Sequence, residues 1–399
     1  MSLSFTKRTL LTFYTLALFL IAGSCAAVRA QVPEEHDLPQ LIQKLLHPHG
    51  KPVSSDTIPQ KLLFSFFPGA GYSLQTGFAV TAGASLAFFT DTAPARKISN
   101  ILTSATYSQY NQFIFPLAAN IFTRGNQYNL LVDYRFLDYP STTFGLGPYT
   151  TPEDGYGISY NSIRLHQTLL RNLSGDWYAG MGIYYDHCWN IKELDPPEGV
   201  KTSLEKYGDE PQETAVGLAF RVLKDTRDNQ INAKSGSFAS FVFRPNFRWM
   251  GSDNSWQSMQ LDYRKYISLP HNQVLALWSF DWFSLGKPPY LLLPSTGWDD
   301  QYNTGRGYIQ SRYRSKNMVY AEAEYRFGLS QDGVLGAVIF ANAQSFSRYL
   351  SDQLSVVAPG VGAGLRIKLN RHSHTNLCID YGFGMDGSSG FFLNLGEVF

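Results

Sequence analysis

The chain reads as an all-β protein: a 16-stranded antiparallel transmembrane β-barrel with a short N-terminal periplasmic helix. Three observations predict this. Charged residues make up 16% of the 399 residues, while 15% are aromatic; soluble domains carry about 25% charge. From about Gln60 onward, apolar residues recur with period two rather than in helical runs. Long and short connections between these segments fall on opposite sides, as extracellular loops and periplasmic turns do in membrane barrels.

Residues 1–30 form an export signal. Lys7 and Arg8 precede an apolar run from Leu10 to Ile21, and Val28 and Ala30 satisfy the small-residue rule for cleavage after Ala30. A competing reading takes "AGSC" as a lipidation signal on Cys25, with Ala22 where that signal usually has Leu. Cleavage leaves Cys188 and Cys378, too few for a disulfide framework, and both are read as unpaired. No later apolar run approaches the roughly 20 residues of a membrane helix. The exported chain therefore enters the outer membrane as strands, with lipid as its first partner.

Residues 31–59 form a periplasmic segment. Leu38, Leu41, Ile42, Leu45 and Leu46 share one helical face, capped by Asp37 and ended by His47-Pro48. The barrel occupies residues 60–399, with strands expected at 61–68, 77–89, 97–108, 111–122, 127–137, 159–172, 176–190 and 213–225. Eight more are expected at 236–248, 256–268, 273–285, 316–328, 333–345, 359–370, 375–385 and 389–399. In "MVYAEAEYRF", Val319, Ala321, Ala323, Tyr325 and Phe327 occupy one face, with Tyr320, Glu322, Glu324 and Arg326 on the other. Such alternation suits a wet interior and an apolar exterior. The long connections follow the fifth, seventh and eleventh strands; "SGD", "LPH" and "RHS" are tight turns after even ones, and 226–235 is a longer exception. The chain ends on an aromatic, with Phe391, Leu393, Leu395 and Phe399 in phase as a C-terminal insertion signal, interrupted by Glu397.

Net charge is +1, which gives no electrostatic case for nucleic acid. His47 and His49, and His372 and His374, lack neighbouring ligands at metal-site spacing. In Asp186-His187-Cys188, strand alternation turns His187 away from both neighbours. Phosphate-loop, dinucleotide and nucleophile-elbow motifs are missing. The reading is a non-enzyme with no catalytic residue, metal or cofactor.

Three segments carry a resemblance. "KDTRDNQINAKSG" resembles the D-x-R-D…P-x-x-G segment of the bacterial surface antigen superfamily, the barrels of the Bam, Sam and Toc machines. Asp225, Arg227, Asp228 and Gly236 match, and Ala233 replaces the usual proline. "GRGYIQSRYRSKNMVYAEAEYRF" resembles that family's sixth-loop [VI]-R-G-[FY] motif and the strand after it, through Arg306, Gly307 and Tyr308, with Gly305 where Val or Ile is usual. "GVGAGLRIKL", "NLCIDYGFG" and "FFLNLGEVF" resemble its last three strands.

The resemblance implies that the sixth loop folds back into the lumen and that Arg306 latches it to the inner wall, with Glu322, Glu324 and Asn342 as partners. It places the later Arg312, Arg314 and Lys316 near the extracellular rim, within reach of anionic lipid headgroups. It further implies a weak seam between the first and last strands, where Gly382, Gly384, Gly387 and Gly390 crowd the sequence. Residues 31–59 leave no room for the family's periplasmic POTRA domains. The function implied is insertion or transport of outer-membrane or secreted proteins, with unfolded clients and a periplasmic partner. The alternative is a structural barrel or passive pore served by a separate periplasmic protein.

Overall fold

Successive side chains of an extended backbone face opposite ways, and the alternation in this chain is realised as one antiparallel sheet. The computed structural model describes residues 37, 40, 62–92, 97–199, 201–208, 210–299, 303–349, 356–371 and 373–399. The first strands are β1 (Leu63–Ser73), β2 (Gly77–Phe88), β3 (Ser99–Ser108), β4 (Phe113–Phe122), β5 (Tyr128–Asp138) and β6 (Ser141–Thr143). Then come β7 (Tyr156–Ser174), β8 (Trp177–Leu194), β9 (Gln212–Asp225), β10 (Gly236–Asn246), β11 (Trp256–Leu269) and β12 (Gln273–Gly286). The last are β13 (Asn317–Gly328), β14 (Leu335–Ser347), β15 (Ala358–Asn370), β16 (Thr375–Phe383) and β17 (Ser389–Leu395).

Each strand pairs with its neighbour in chain order, except that β6 is a three-residue spur on β7 and β5 pairs past it with β7. The meander curls until its edges touch. Leu393 of β17 fills the space a Cβ on Gly71 of β1 would need, and Leu74 does the same at Gly390. Yet β1 is in register only with β2, and β17 only with β16, so no ladder joins the two edges among the described residues. β1 runs five residues beyond its expected end at residue 68. Pro68 lacks an N–H, but an edge strand needs donors on one side only, so the strand continues through it.

Outward positions carry a lipid-like surface. Leu165, Leu169, Met181, Ile183, Val222 and Tyr263 are 38–59% exposed. No helix among the described residues is long and apolar enough to cross a membrane. Inward positions depart from a simple wet lumen: Ala276, Trp278, Phe280 and Trp282 of β12 are buried with Tyr139, Trp298, Tyr308 and Tyr313 from the loops. The interior beside β12 is an aromatic core because loops fill it. Cys188 and Cys378 are buried and unpaired.

Of the helix expected over Asp37–His47, only Asp37 and Gln40 are described; the rest, with His47, His49, Cys25 and the export signal, lies outside the described residues. Gln40 N donates to Asp37 Oδ1 (3.2 Å) and Asp37 N to Gln40 Oε1 (3.4 Å), the reciprocal pattern of a capping box. Asp37 Oδ2 also accepts from Arg371 N (3.2 Å), in the β15–β16 turn.

The C-terminus corrects the expected strand 389–399. β17 ends at Leu395, and Gly396, at φ 82°, turns the chain inward. Phe391 and Leu393 stay on the outer face (42% and 41% exposed), whereas Phe399 is 4% exposed and stacks on Trp278 at 5.1 Å between centroids. Glu397, which breaks the apolar phase in sequence, is why: its carboxylate accepts from Arg366 Nε (2.8 Å) and Asn376 Nδ2 (2.7 Å) inside. Gly396→Val should destabilise the fold by about 1–2 kcal/mol through left-handed backbone strain. Gly396→Asn should cost less, because its short polar side chain tolerates that region. The temperature at which the folded band disappears in heat-modifiability gels checks this; equal melting for wild type and Gly396→Val would refute the inward turn.

Candidate functional site

The β12–β13 connection, described as 287–299 and 303–316, leaves the outer rim and enters the interior. Its first arm turns through the 3-10 segment Tyr290–Leu292. Glu213 at the start of β9 anchors that arm, accepting from Tyr290 N (2.8 Å) and Leu291 N (3.3 Å). Tyr207, in the short helix Ser203–Gly208, donates to Pro288 O (2.9 Å). The returning arm is tied to the first by a bridge between Ser295 and Arg314 and by Thr296 N to Tyr313 O (3.0 Å).

At the tip, Gly305 and Gly307 have φ of 77° and 110°, a conformation side chains rarely adopt. A Cβ on Gly307 would sit 2.7 Å from the Phe383 carbonyl, and one on Gly382 2.7 Å from Gly307 N. Gly382 therefore makes room for the tip. A Cβ on Gly384 would likewise meet the Tyr308 ring, at 2.7 Å, so both glycines also make room beside the loop tip. Gly360 faces the Arg306 carbonyl in the same way. Tyr308 donates to Pro359 O (2.5 Å) and accepts from Met385 N (3.0 Å); burial pushes its phenol up to about 12, so it stays neutral.

Between these glycines, Arg306 is 1% exposed. Its Nη1 donates to Asp380 Oδ2 (2.5 Å) on β16, and its Nη2 to Glu324 Oε2 (2.6 Å) and to Glu322, both on β13. The guanidinium lies 3.7 Å from the Phe340 ring centroid of β14. Desolvation opposes charge on Arg306, but the attraction of Glu322, Glu324 and Asp380 outweighs it and raises its pKa. The carboxylates are shared. Arg366 of β15 donates to Asp380 Oδ1 (2.5 Å) and Glu397 Oε2 (2.8 Å), and Arg326 of β13 to Glu324 Oε1 (2.7 Å) and Phe399 O (2.9 Å). Three guanidinium groups and four carboxylates thus connect the loop tip, β13, β15, β16 and the C-terminal tail.

The sequence named Glu322 and Glu324 but missed Asp380, which lies on the inward phase of "LCIDYGFG" beside Gly364 in register. Asn342 has a different role from the one expected: its Nδ2 donates to the backbone carbonyl of Arg306 (2.9 Å), not to its side chain. Arg312 and Arg314 are 3% and 2% exposed, a correction to their expected position at the lipid rim. Arg312 donates to Thr150 O (2.8 Å) in the β6–β7 connection, and Arg314 to Tyr290 O (2.9 Å), so both staple loops together. Lys316 reaches Gly286 O (2.7 Å) at the loop base.

The 226–235 turn is a second built motif. Arg227 forks onto Asp225 through Nε (2.9 Å) and Nη2 (2.8 Å). Asp228 Oδ1 accepts from Asn229 N, Lys234 N and Ser235 N at 2.9–3.1 Å. A Cβ on Gly236, at φ 95°, would lie 2.1 Å from Thr226 O. Ile231 O accepts from Glu397 N (3.3 Å), joining the turn to the C-terminal tail. His187 faces away from Asp186, its Nδ1 3.0 Å from Thr214 Oγ1. No cluster of His, Cys, Asp and Glu among the described residues is arranged to hold a metal ion.

Comparison with known proteins places this architecture. No protein of curated function matches the sequence significantly. Among solved structures, BamA from Haemophilus ducreyi lacking POTRA domains 1–3 matches 84% of this chain and 69% of its own, at 14% identity and a TM-score of 0.52. CdiB from Acinetobacter baumannii matches over 85% of this chain and 60% of its own (16% identity, TM-score 0.52). CdiB from Escherichia coli does so over 85% and 63% (12% identity, TM-score 0.53). This chain thus spans 60–69% of the length of these three. These likenesses concern the fold. The Omp85 superfamily domain model matches residues 99–399, well over half the sequence, and the chain belongs to that superfamily of outer-membrane assembly and transport barrels.

Proposed function

We propose that this protein is a sixteen-stranded outer-membrane barrel that inserts or transports proteins, and that Arg306 latches its sixth loop inside the lumen. The observation that carries this reading is the Arg306 network, which ties the tip of an outer loop to β13 and to β16, the strand paired with the edge strand β17. A guanidinium forks onto carboxylates with fixed geometry, so it holds a loop in one place, as a dispersed apolar contact would not. The β1–β17 edge is the proposed seam, held by Leu74 and Leu393 in glycine notches rather than by backbone bonds. Unfolded outer-membrane or secreted chains are the proposed clients, with a periplasmic protein delivering them.

The exposed row of Phe391 and Leu393 would then face the insertion machinery, and the Asp225–Gly236 turn would brace the periplasmic mouth. The alternative, a passive pore or structural barrel, fits less well with an interior filled by Tyr139, Trp298, Tyr308 and Phe399. Residues 31–59 are proposed to pack at the periplasmic rim, where Asp37 already meets Arg371.

Arg306→Ala and Glu324→Ala should each raise protease accessibility of the loop, and the double mutant should add less than the sum. The expected coupling is on the order of 1–3 kcal/mol, and strictly additive effects would reject the pairing. Arg306→Lys should fail to restore protection, since it keeps the charge and loses the fork. Depleting the protein should lower the outer-membrane abundance of other barrels; a change confined to solute permeability would favour the pore. The alternative place for this segment is as a plug in the lumen: deleting residues 31–58 should then raise single-channel conductance, and unchanged conductance would sink the plug.

A further inference from the structure

The outer face of β12 carries a carboxylate where the rest of its phase is apolar. Asp281 shares the phase of the exposed Leu277 and Leu285, opposite to that of the buried Trp278, Phe280 and Trp282. Register agrees: Asp281 stands across from the exposed Leu261 of β11 and from Val319 of β13, which is in phase with the exposed Ala321. Leu275, Leu277, Phe283 and Leu285 follow it outward on the same strand in both directions. Four residues of a tilted strand rise about 10 Å, so Asp281 lies near the middle of an apolar band roughly 25 Å tall.

Its polar neighbours are the Ser279 side chain and the Tyr320 N–H, and among the described residues no cation lies beside it. Oδ1 is enclosed and has no hydrogen-bond partner among the described residues. On the adjoining strands β11 and β13 the outward phase holds one cation, Lys265, which stands across from Leu277, about 13 Å away along the strand. Ionisable groups at this depth are costly, and those that persist pair with a partner. The surface beside Asp281 is also low. Ser279 stands across from Ala321, Ala321 from Ala343, and Ala323 from Ala341. The exposed Tyr263 of β11 and Val361 of β15 rise on either side, so the small residues form the floor of a shallow furrow. Small side chains let a second backbone approach closely within a membrane.

We propose that this furrow seats a membrane-spanning segment of another protein, which brings a Lys or Arg at mid-depth to Asp281. The carboxylate calls for a cation, and the alanine floor gives a backbone room to approach. Lipid supplies no such cation, because its headgroup charges stay at the surface. A second copy of this chain fits poorly. A two-fold axis along the membrane normal keeps depths equal, so it would turn Asp281 toward its own image and leave Lys265 at another depth. The inference rests on the outer face lying in lipid and depends on neither the latch nor the transport role.

Fluorescence transfer in phosphatidylcholine vesicles tests it. The full chain is labelled through Gln331→Cys in the exposed β13–β14 turn, since Cys188 and Cys378 are buried. The probes are membrane-spanning leucine–alanine peptides of about 20 residues. A peptide with a central lysine should associate at least about threefold more tightly than one with a central glutamine. Asp281→Asn should erase that preference. Ala321→Phe should weaken both peptides by filling the furrow, whereas Leu169→Phe, on a different part of the outer wall, should change neither. Heat-modifiability confirms that each variant folds. Equal association of the two peptides, or a lysine preference that survives Asp281→Asn, would overturn the proposal. Sedimentation in nonionic detergent should find a monomer; a dimer that Ala321→Phe dissolves would assign the furrow to a second copy and overturn it as well.

Discussion

The position of the inner loop depends on one desolvated cation. Burying Arg306 costs several kcal/mol of lost hydration, and only carboxylates in good geometry return it. Glu322 and Glu324 come from one strand and Asp380 from another three strands on, so the guanidinium is at home only when β13 to β16 hold their registers. Removing one member of such a set leaves an opposite charge buried without its partner, commonly a loss of about 3–5 kcal/mol. Loop placement and strand register therefore support each other. Arg326 and Arg366 extend the dependence to the C-terminal tail.

The backbone makes this arrangement physically possible. A loop tip can lie against a strand only where the wall is thin, and "GVGAGLR" on β15 alternates glycine on its inward face. At Gly362 a Cβ would strike the Phe340 ring, and at Gly364 it would lie 1.7 Å from Asp380 Oδ1. The aromatic ring under Arg306 and the carboxylate beside it occupy space that any other residue would take. Glycine here serves packing against a charge cluster, at the expense of side-chain contacts within the sheet.

Much of the sheet was legible because period-two alternation survives in nearly every strand, and most observed ends fall within a few residues of those read from sequence. The inward charged face of "MVYAEAEYRF" was legible for the same reason, which brought out Glu322 and Glu324. Asp380 was not, because selecting it requires the cross-strand register that stacks β16 beside β15. The inward turn at Gly396 left one trace, Glu397 falling in an apolar phase. Arg312 and Arg314 resemble rim cations until the loop is folded, when their carbonyl acceptors on Thr150 and Tyr290 appear from segments distant in sequence. The β12 interior misled for a related reason: its tryptophans are core residues only because loops arrive to cover them.

The inward face of β2 offers a contrast. Ala79, Thr81, Gly83, Ser85 and Ala87 project little into the interior, and no residue of β1 to β4 joins the Arg306 network among the described residues. One arc of the wall is riveted by ions and rings, while the other is held chiefly by its backbone ladders. Such a sheet is mechanically lopsided. Under lateral strain it would keep its shape on the arginine side and give on the alanine side, as a hoop splits beside its weld.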